Sequence, residues 1–118
     1  MKERRRAVRF KASFDIEYTT KGIIEIGSKT KSKDISISGI QFPINRLIKK
    51  GTKLKIEINP PHEQTPIVTH GKVVWVKEST DRYNENLDAG IKFSKIDLGE
   101  QYKLLKILKN CAASYKKE

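Results

Sequence analysis

The chain is short of most things that would mark an enzyme, a secreted protein or a membrane protein. It has one cysteine, Cys111, so no disulfide can form within it, and a reducing compartment suits it. Its two histidines, His62 and His70, have no spaced His, Cys or carboxylate partner of the kind a metal site needs. No GxxxxGK, HExxH or GxSxG stretch occurs, and Ser36 and Ser38 have no base nominated beside them; the chain reads as a binding protein rather than an enzyme. No apolar run approaches the ~20 residues of a membrane helix, and no apolar segment follows the basic N-terminus as it would in a secretory signal. The expectation is therefore a soluble, cytoplasmic protein with no membrane span. Acidic residues are scarce as well, 14 against 25 lysines and arginines, giving a net charge of +11. That balance points to an anionic partner (nucleic acid, lipid or nucleotide) and says nothing about fold.

What the chain does have is alternation. Its 118 residues make one domain of ordinary size. Phe10, Ala12, Phe14, Ile16 and Tyr18 alternate with Lys11, Ser13, Asp15 and Glu17, the period of a half-buried strand. Ile23, Ile24 and Ile26 form a second short run, and Lys29 to Lys33 is a basic, polar stretch leading into Asp34-Ile35-Ser36-Ile37-Ser38-Gly39. Ile40 and Phe42 start a strand that Pro43 ends. Leu54, Ile56 and Ile58 mark another, Ile67 to Lys77 the longest, and Leu87 to Phe93 the last, with bends expected at Gly71 and Gly90. From Ile96 the period becomes helical: Leu98, Tyr102, Leu105, Leu108 and Ala112 recur on one stripe, widened by Leu104, Ile107 and Cys111. Asp97 is placed to cap this helix, with Glu100 three residues on. Short strands broken by glycine and proline, followed by one helix, predict a barrel whose bends close its edges.

Two stretches can carry chemistry. Residues 1–9 hold four of the six arginines: Arg4, Arg5, Arg6 and Arg9. Taken alone they read as a solvated basic tail. Taken by chemistry, the flat guanidinium fork can hydrogen-bond O6 and N7 of guanine, stack on a purine or clamp a phosphate. Asp34, Ser36 and Gly39 alone read as a turn. The functional alternative is that the Asp34 carboxylate accepts from N1 and N2 of a guanine edge. Ser36 would reach a phosphate or amino group, and Gly39 would let backbone and ligand approach closely.

Arg5-x-x-x-Arg9 followed by Asp34-x-Ser36-x-x-Gly39 resembles the paired RxxxR and (D/N)xSxxG signature of PilZ domains, bacterial receptors for cyclic di-GMP. Gly71-x-Val73-x-Trp75 and Gly90-Ile91-x-Phe93 are family-like as well, so the resemblance covers about residues 4–112. It implies a mainly β fold: a six-stranded antiparallel PilZ-type β-barrel with a C-terminal α-helix. It implies an arginine-rich ligand-binding segment at 1–9 on a barrel-plus-helix unit at 10–118. Arg5 and Arg9 would contact guanine and phosphate, while Asp34 and Ser36 hold a guanine edge. Arg4, just before the first motif, is similar to members that bind an intercalated pair of cyclic di-GMP molecules. Five of the first nine residues are basic and only Glu3 opposes them, so the segment is expected to be mobile alone and to order on a dianionic ligand. The implied role is a signalling effector with a downstream protein partner that the sequence does not identify.

The rival reading is a small basic β-barrel that binds nucleic acid. Single-strand readers need exposed aromatics on the barrel face. Phe10, Phe14 and Tyr18 share the face expected to be core, and Trp75 lies in the most apolar strand; core is the better reading for most of them, which disfavours nucleic acid.

Overall fold

A computed structural model describes residues 9–22, 27–44, 47–61, 65–78, 87–95 and 97–116, without the side chains of 95 and 111–116. Arg4, Arg5 and Arg6, the Ile23–Ile26 run, His62 and the loop from 79 to 86 lie outside the described residues, as do the side chains of Cys111 and Ala112.

Eight strands and one helix are described: β1 (Phe10–Lys11), β2 (Asp15–Thr20), β3 (Gly27–Lys31), β4 (Asp34–Ile35), β5 (Gly39–Ile44), β6 (Lys53–Asn59), β7 (Ile67–Glu78), β8 (Leu87–Lys95) and α1 (Leu98–Lys116). All pairings are antiparallel, in the order β1-β4-β5-β8-β7-β6-β2-β3. The count exceeds the expected six because two long strands are kinked. Residues 10–20 run beside 27–35 throughout: β1 pairs β4 and β2 pairs β3. Between them the ladder gives way to single bonds, from the Ala12 N–H to the Lys33 carbonyl (3.3 Å) and from the Ser32 N–H to the Phe14 carbonyl (2.9 Å). At the kink the first strand has moved over to pair β6, while the second turns to pair β5. No ladder joins β1 to β3. Chain continuity through the two kinks brings the ends of the sheet together, and six strands in the expected sense surround the core.

Ser32 holds the kink. It is buried, its hydroxyl donates to the Ala12 carbonyl, and it accepts from the Phe14 N–H at 2.9 Å. A side chain thus replaces the ladder bonds lost where the strand bends, as buried backbone groups require. The stretch around Lys29, read from sequence only as basic and polar, is strand β3. Its pairing with β2 decides this, because its own side chains offer no apolar face.

Pro43 lies inside β5 rather than ending it. Its carbonyl accepts from Thr30 Oγ1 at 2.9 Å, which places that edge toward β3. A strand residue's N and O point to the same side, so the missing N–H faces an edge with no ladder to lose.

The alternating residues fill the interior as expected. Phe14, Ile16 and Tyr18 are buried with Ile40, Phe42, Ile56 and Ile91, and Tyr18 stacks on Phe42 with ring centroids 5.0 Å apart. Asp97 caps α1, its carboxylate accepting from the Glu100 N–H at 2.9 Å. Glu100 does not return the bond. It reaches across to the Val68 N–H (3.0 Å), in the part of β7 beyond the last β8 pairing at His70. The capping residue therefore ties α1 to the sheet. The helix buries a narrower line than the apolar period suggests: Leu104, Ile107 and Leu108 are in the core, whereas Leu98, Tyr102 and Leu105 are exposed. It packs against β7 and β1, and only one line of its side chains is buried there while the neighbouring line faces solvent.

Candidate functional site

The kinked strands bring the two sequence motifs together. Because Lys11 pairs Asp34, the chain just before β1 passes over β4. There Arg9 Nη1 donates to Asp34 Oδ1 at 2.7 Å, both side chains partly exposed. Arg4 and Arg5 lie outside the described residues, so of the first motif only Arg9 has a described place.

Ser36 and Gly39 take positions that shape the site. The chain turns between them, with the Ser36 N–H donating to the Gly39 carbonyl at 2.9 Å. Ser36 is buried, and its hydroxyl accepts from the Ser38 and Gly39 N–H groups, each at 3.2 Å. The turn that the sequence suggested is present and sets Asp34 at its edge, while the Ser36 hydroxyl is buried and engaged in the turn itself. Gly39 meets a strict requirement. A Cβ there would stand 2.3 Å from the Ile91 carbonyl oxygen, so β5 and β8 approach as they do only because the residue is glycine.

The register then carries one row of outward-facing positions across five strands. Lys11 is opposite Asp34, Asp34 opposite Gln41, Gln41 opposite Gly90, and Gly90 opposite Trp75. At about 4.8 Å per strand the row spans roughly 19 Å. Trp75 ends it, half-buried and facing outward although it lies in the most apolar strand. Strict alternation from Val73, which is buried, would turn Trp75 inward. A β-bulge between Val73 and Trp75 inserts one residue and reverses the sidedness of all that follow. The indole lies against Gly90, where a Cβ would come within 2.1 Å of the ring. Lys77 Nζ sits 4.7 Å from the ring centroid, a cation–π contact.

Two concavities flank the Arg9–Asp34 pair. One, of about 210 Å³, is lined by Arg9, Ser38, Gly39, Val74, Trp75, Gly90, Ile91 and Lys92. The other, an open groove of about 580 Å³, runs along Lys11, Ala12, Ser13, Ser32, Lys33, Asp34 and Gln41. Beside the row lies Asp88, paired in register with Pro43 and with Lys77. It is buried, and its Oδ2 accepts from Lys33 Nζ at 2.8 Å, while its Oδ1 has no hydrogen-bond partner among the described residues. Sequence reasoning missed Trp75, Lys92 and Asp88. Gly90 opposite an aromatic was the available signal for Trp75, but the bulge that aligns them is not written in any periodicity. Among the described residues no group of three His, Cys, Asp or Glu gathers as metal ligands would, and no helix is long and apolar enough to cross a membrane.

A partly closed antiparallel barrel, capped by one helix, with an arginine–aspartate pair and a glycine-set turn at its rim, defines a class of small ligand-binding β-domains. The family model for the PilZ domain matches residues 3–110, and the chain belongs to that family. Solved structures agree in fold. The Bacillus subtilis inhibitor of motility (MotI/DgrA) is 25% identical with a TM-score of 0.76, covering 98% of this chain and 53% of that one. The chain thus spans about half the length of that relative. The PilZ domain of YcgR from Escherichia coli, solved with c-di-GMP, is 17% identical with a TM-score of 0.75, covering 98% and 96%. MrkH of K. pneumonia in complex with c-di-GMP is 20% identical with a TM-score of 0.72, covering 98% and 55%. No curated protein sequence matches the chain.

Proposed function

We propose that this chain binds cyclic di-GMP on the Arg9–Asp34–Trp75 face and acts in the cytoplasm as a signalling effector, by binding rather than catalysis. The observation that carries the reading is the Arg9–Asp34 contact, which joins the two motifs of the PilZ signature in one place. Family membership and the c-di-GMP complexes of similar folds support it.

The chemistry is an exchange of partners. Without ligand, Arg9 and Asp34 satisfy one another, and a part-exposed pair of this kind is worth only about 0–1 kcal/mol. Breaking it costs little. A guanine then offers N1–H and N2–H to Asp34, and O6, N7 or a phosphate to Arg9. Arg4 and Arg5 join from residues 1–9, which fold over the ligand as its charge offsets their repulsion. Ser36 and Gly39 contribute by fixing the turn that presents Asp34. Trp75 offers a flat surface for a base: stacking on an aromatic is worth about 1–3 kcal/mol, against about 0.5–1 kcal/mol for the exposed Lys77 contact that it displaces. With Arg4 basic, two intercalated ligands per chain is the expected stoichiometry. The ordered segment changes the face that a downstream protein partner meets. Isothermal titration with cyclic di-GMP tests this. Heat is expected from the wild-type chain, with a stoichiometry near two, and none from Arg9→Ala or Asp34→Ala; a silent wild-type titration rejects the reading.

A further inference from the structure

Beyond the concavity that Arg9, Trp75 and Lys92 line, the outer face of the sheet carries like charges side by side. Lys53 of β6 stands opposite Lys72 of β7, and Lys72 opposite Lys92 of β8. All three are exposed. Adjacent strands lie about 4.8 Å apart, so the three side chains spring from backbone positions spanning roughly 10 Å. Lys55 follows on β6, opposite His70, and the Lys21 N–H donates to the Lys53 carbonyl at 3.0 Å, which holds it at the same end of the face. His70 registers the resulting field: burial first, then the charges of Lys21 and Lys55, hold its imidazole below the usual histidine pKa.

Like charges directly opposite one another destabilise a sheet. Here nothing offsets them: among the described residues none of Lys21, Lys53, Lys55, Lys72 and Lys92 has an ion-pair partner. The basic strip ends only at Glu57, which faces Glu17. An uncompensated row of this kind is complementary to an external anion.

We propose that this lysine strip is a docking surface for an anionic lipid membrane. The residue type separates this occupant from its competitors. A protein interface is centred on aromatic and arginine anchors and is depleted of lysine; no Phe, Tyr, Trp or Arg stands among Lys53, Lys55 and Lys72, and Trp75 lies beyond Lys72 on β7. Single-stranded nucleic acid needs a series of stacking platforms, and between these lysines only the half-buried His70 imidazole offers one. A plane of anionic headgroups asks only for compact, hydrated charges presented together within a Debye length, about 8 Å at physiological salt, and lysine supplies those. Each basic residue brought to an anionic leaflet contributes roughly fivefold in affinity.

The test is flotation of the full chain with vesicles of 70% phosphatidylcholine and 30% phosphatidylserine, with no nucleotide present. Binding is expected at ~0.1 M salt, absent with pure phosphatidylcholine and lost at ~0.5 M salt. The triple variant Lys53→Gln/Lys55→Gln/Lys72→Gln is expected to weaken it at least tenfold while leaving the cyclic di-GMP titration unchanged. Removing three exposed lysines elsewhere, Lys29→Gln/Lys106→Gln/Lys109→Gln, is expected to change it less than threefold. The proposal is overturned if the wild-type chain ignores the phosphatidylserine vesicles, or if both triple variants weaken binding equally. It is also overturned if a 20-nucleotide single strand binds more tightly than the vesicles and the first triple variant abolishes that binding. Because no nucleotide enters the flotation, its outcome is independent of whether cyclic di-GMP is the ligand of the rim site.

Discussion

The two ends of the row from Asp34 to Trp75 are held by different physics. At the Asp34 end a charge pair bridges two partly exposed side chains and costs little to break. At the Trp75 end, and in the turn before β5, the contacts are backbone shape: glycines admit a carbonyl oxygen and an indole that any other residue would exclude. Substitutions should therefore divide. Those at the shaped positions should act mainly on stability, and those at the charged positions mainly on binding.

The largest effect is expected at Gly39. Its Cβ would meet the Ile91 backbone, which has no side-chain freedom to retreat, so Gly39→Ala should lose about 3 kcal/mol in urea unfolding. Next comes Asp88→Ala, which removes a buried carboxylate and the 2.8 Å bond that it accepts from Lys33 Nζ. About 2 kcal/mol is expected, less than for a fully buried pair because Lys33 retains some solvent. Gly90→Ala should cost about 1 kcal/mol, since the atoms it meets belong to a side chain that can swing away. Trp75 is the only tryptophan, so its emission should shift in that variant and report the displaced ring directly. Arg9→Ala and Asp34→Ala should change stability by less than about 1 kcal/mol while removing ligand binding. If they prove as destabilising as Gly39→Ala, the division between charge and shape fails. The smallest effect concerns pH. The His70 pKa is lowered on folding, so the unfolded chain binds the extra proton. Stability from this group is complete above the ordinary value of about 6.5 and is lost as pH falls through the lower folded value. Chemical unfolding at pH 7.5 and 5.5 should show that loss, and His70→Gln should reduce it.

Much of this was legible in the sequence because it is local. The alternation from Phe10 to Tyr18 marked the buried face even though the strand breaks in the middle, since the kink at Ser32 preserves which side faces in. The Asp97 cap was legible for the same reason. The Arg9 and Asp34 motifs could be named, but their contact is made by the β1–β4 pairing, 25 residues apart in the chain. The outward face of Trp75 was not legible, because a single inserted residue in β7 reverses sidedness and leaves no periodic trace. The lysine strip was invisible for a third reason: Lys53, Lys72 and Lys92 sit in three separate alternating patterns, each unremarkable until the register sets them abreast.

The central claim is that Arg9 and Asp34 give up one another to read a guanine. Parallel titrations with cyclic di-GMP and cyclic di-AMP test it most directly, because adenine lacks O6 and the N2 amino group that the pair would recognise. The account predicts binding of cyclic di-GMP at least a hundredfold tighter, a preference that Asp34→Ala removes. Equal affinity for the two, or a guanine preference that survives Asp34→Ala, would contradict it.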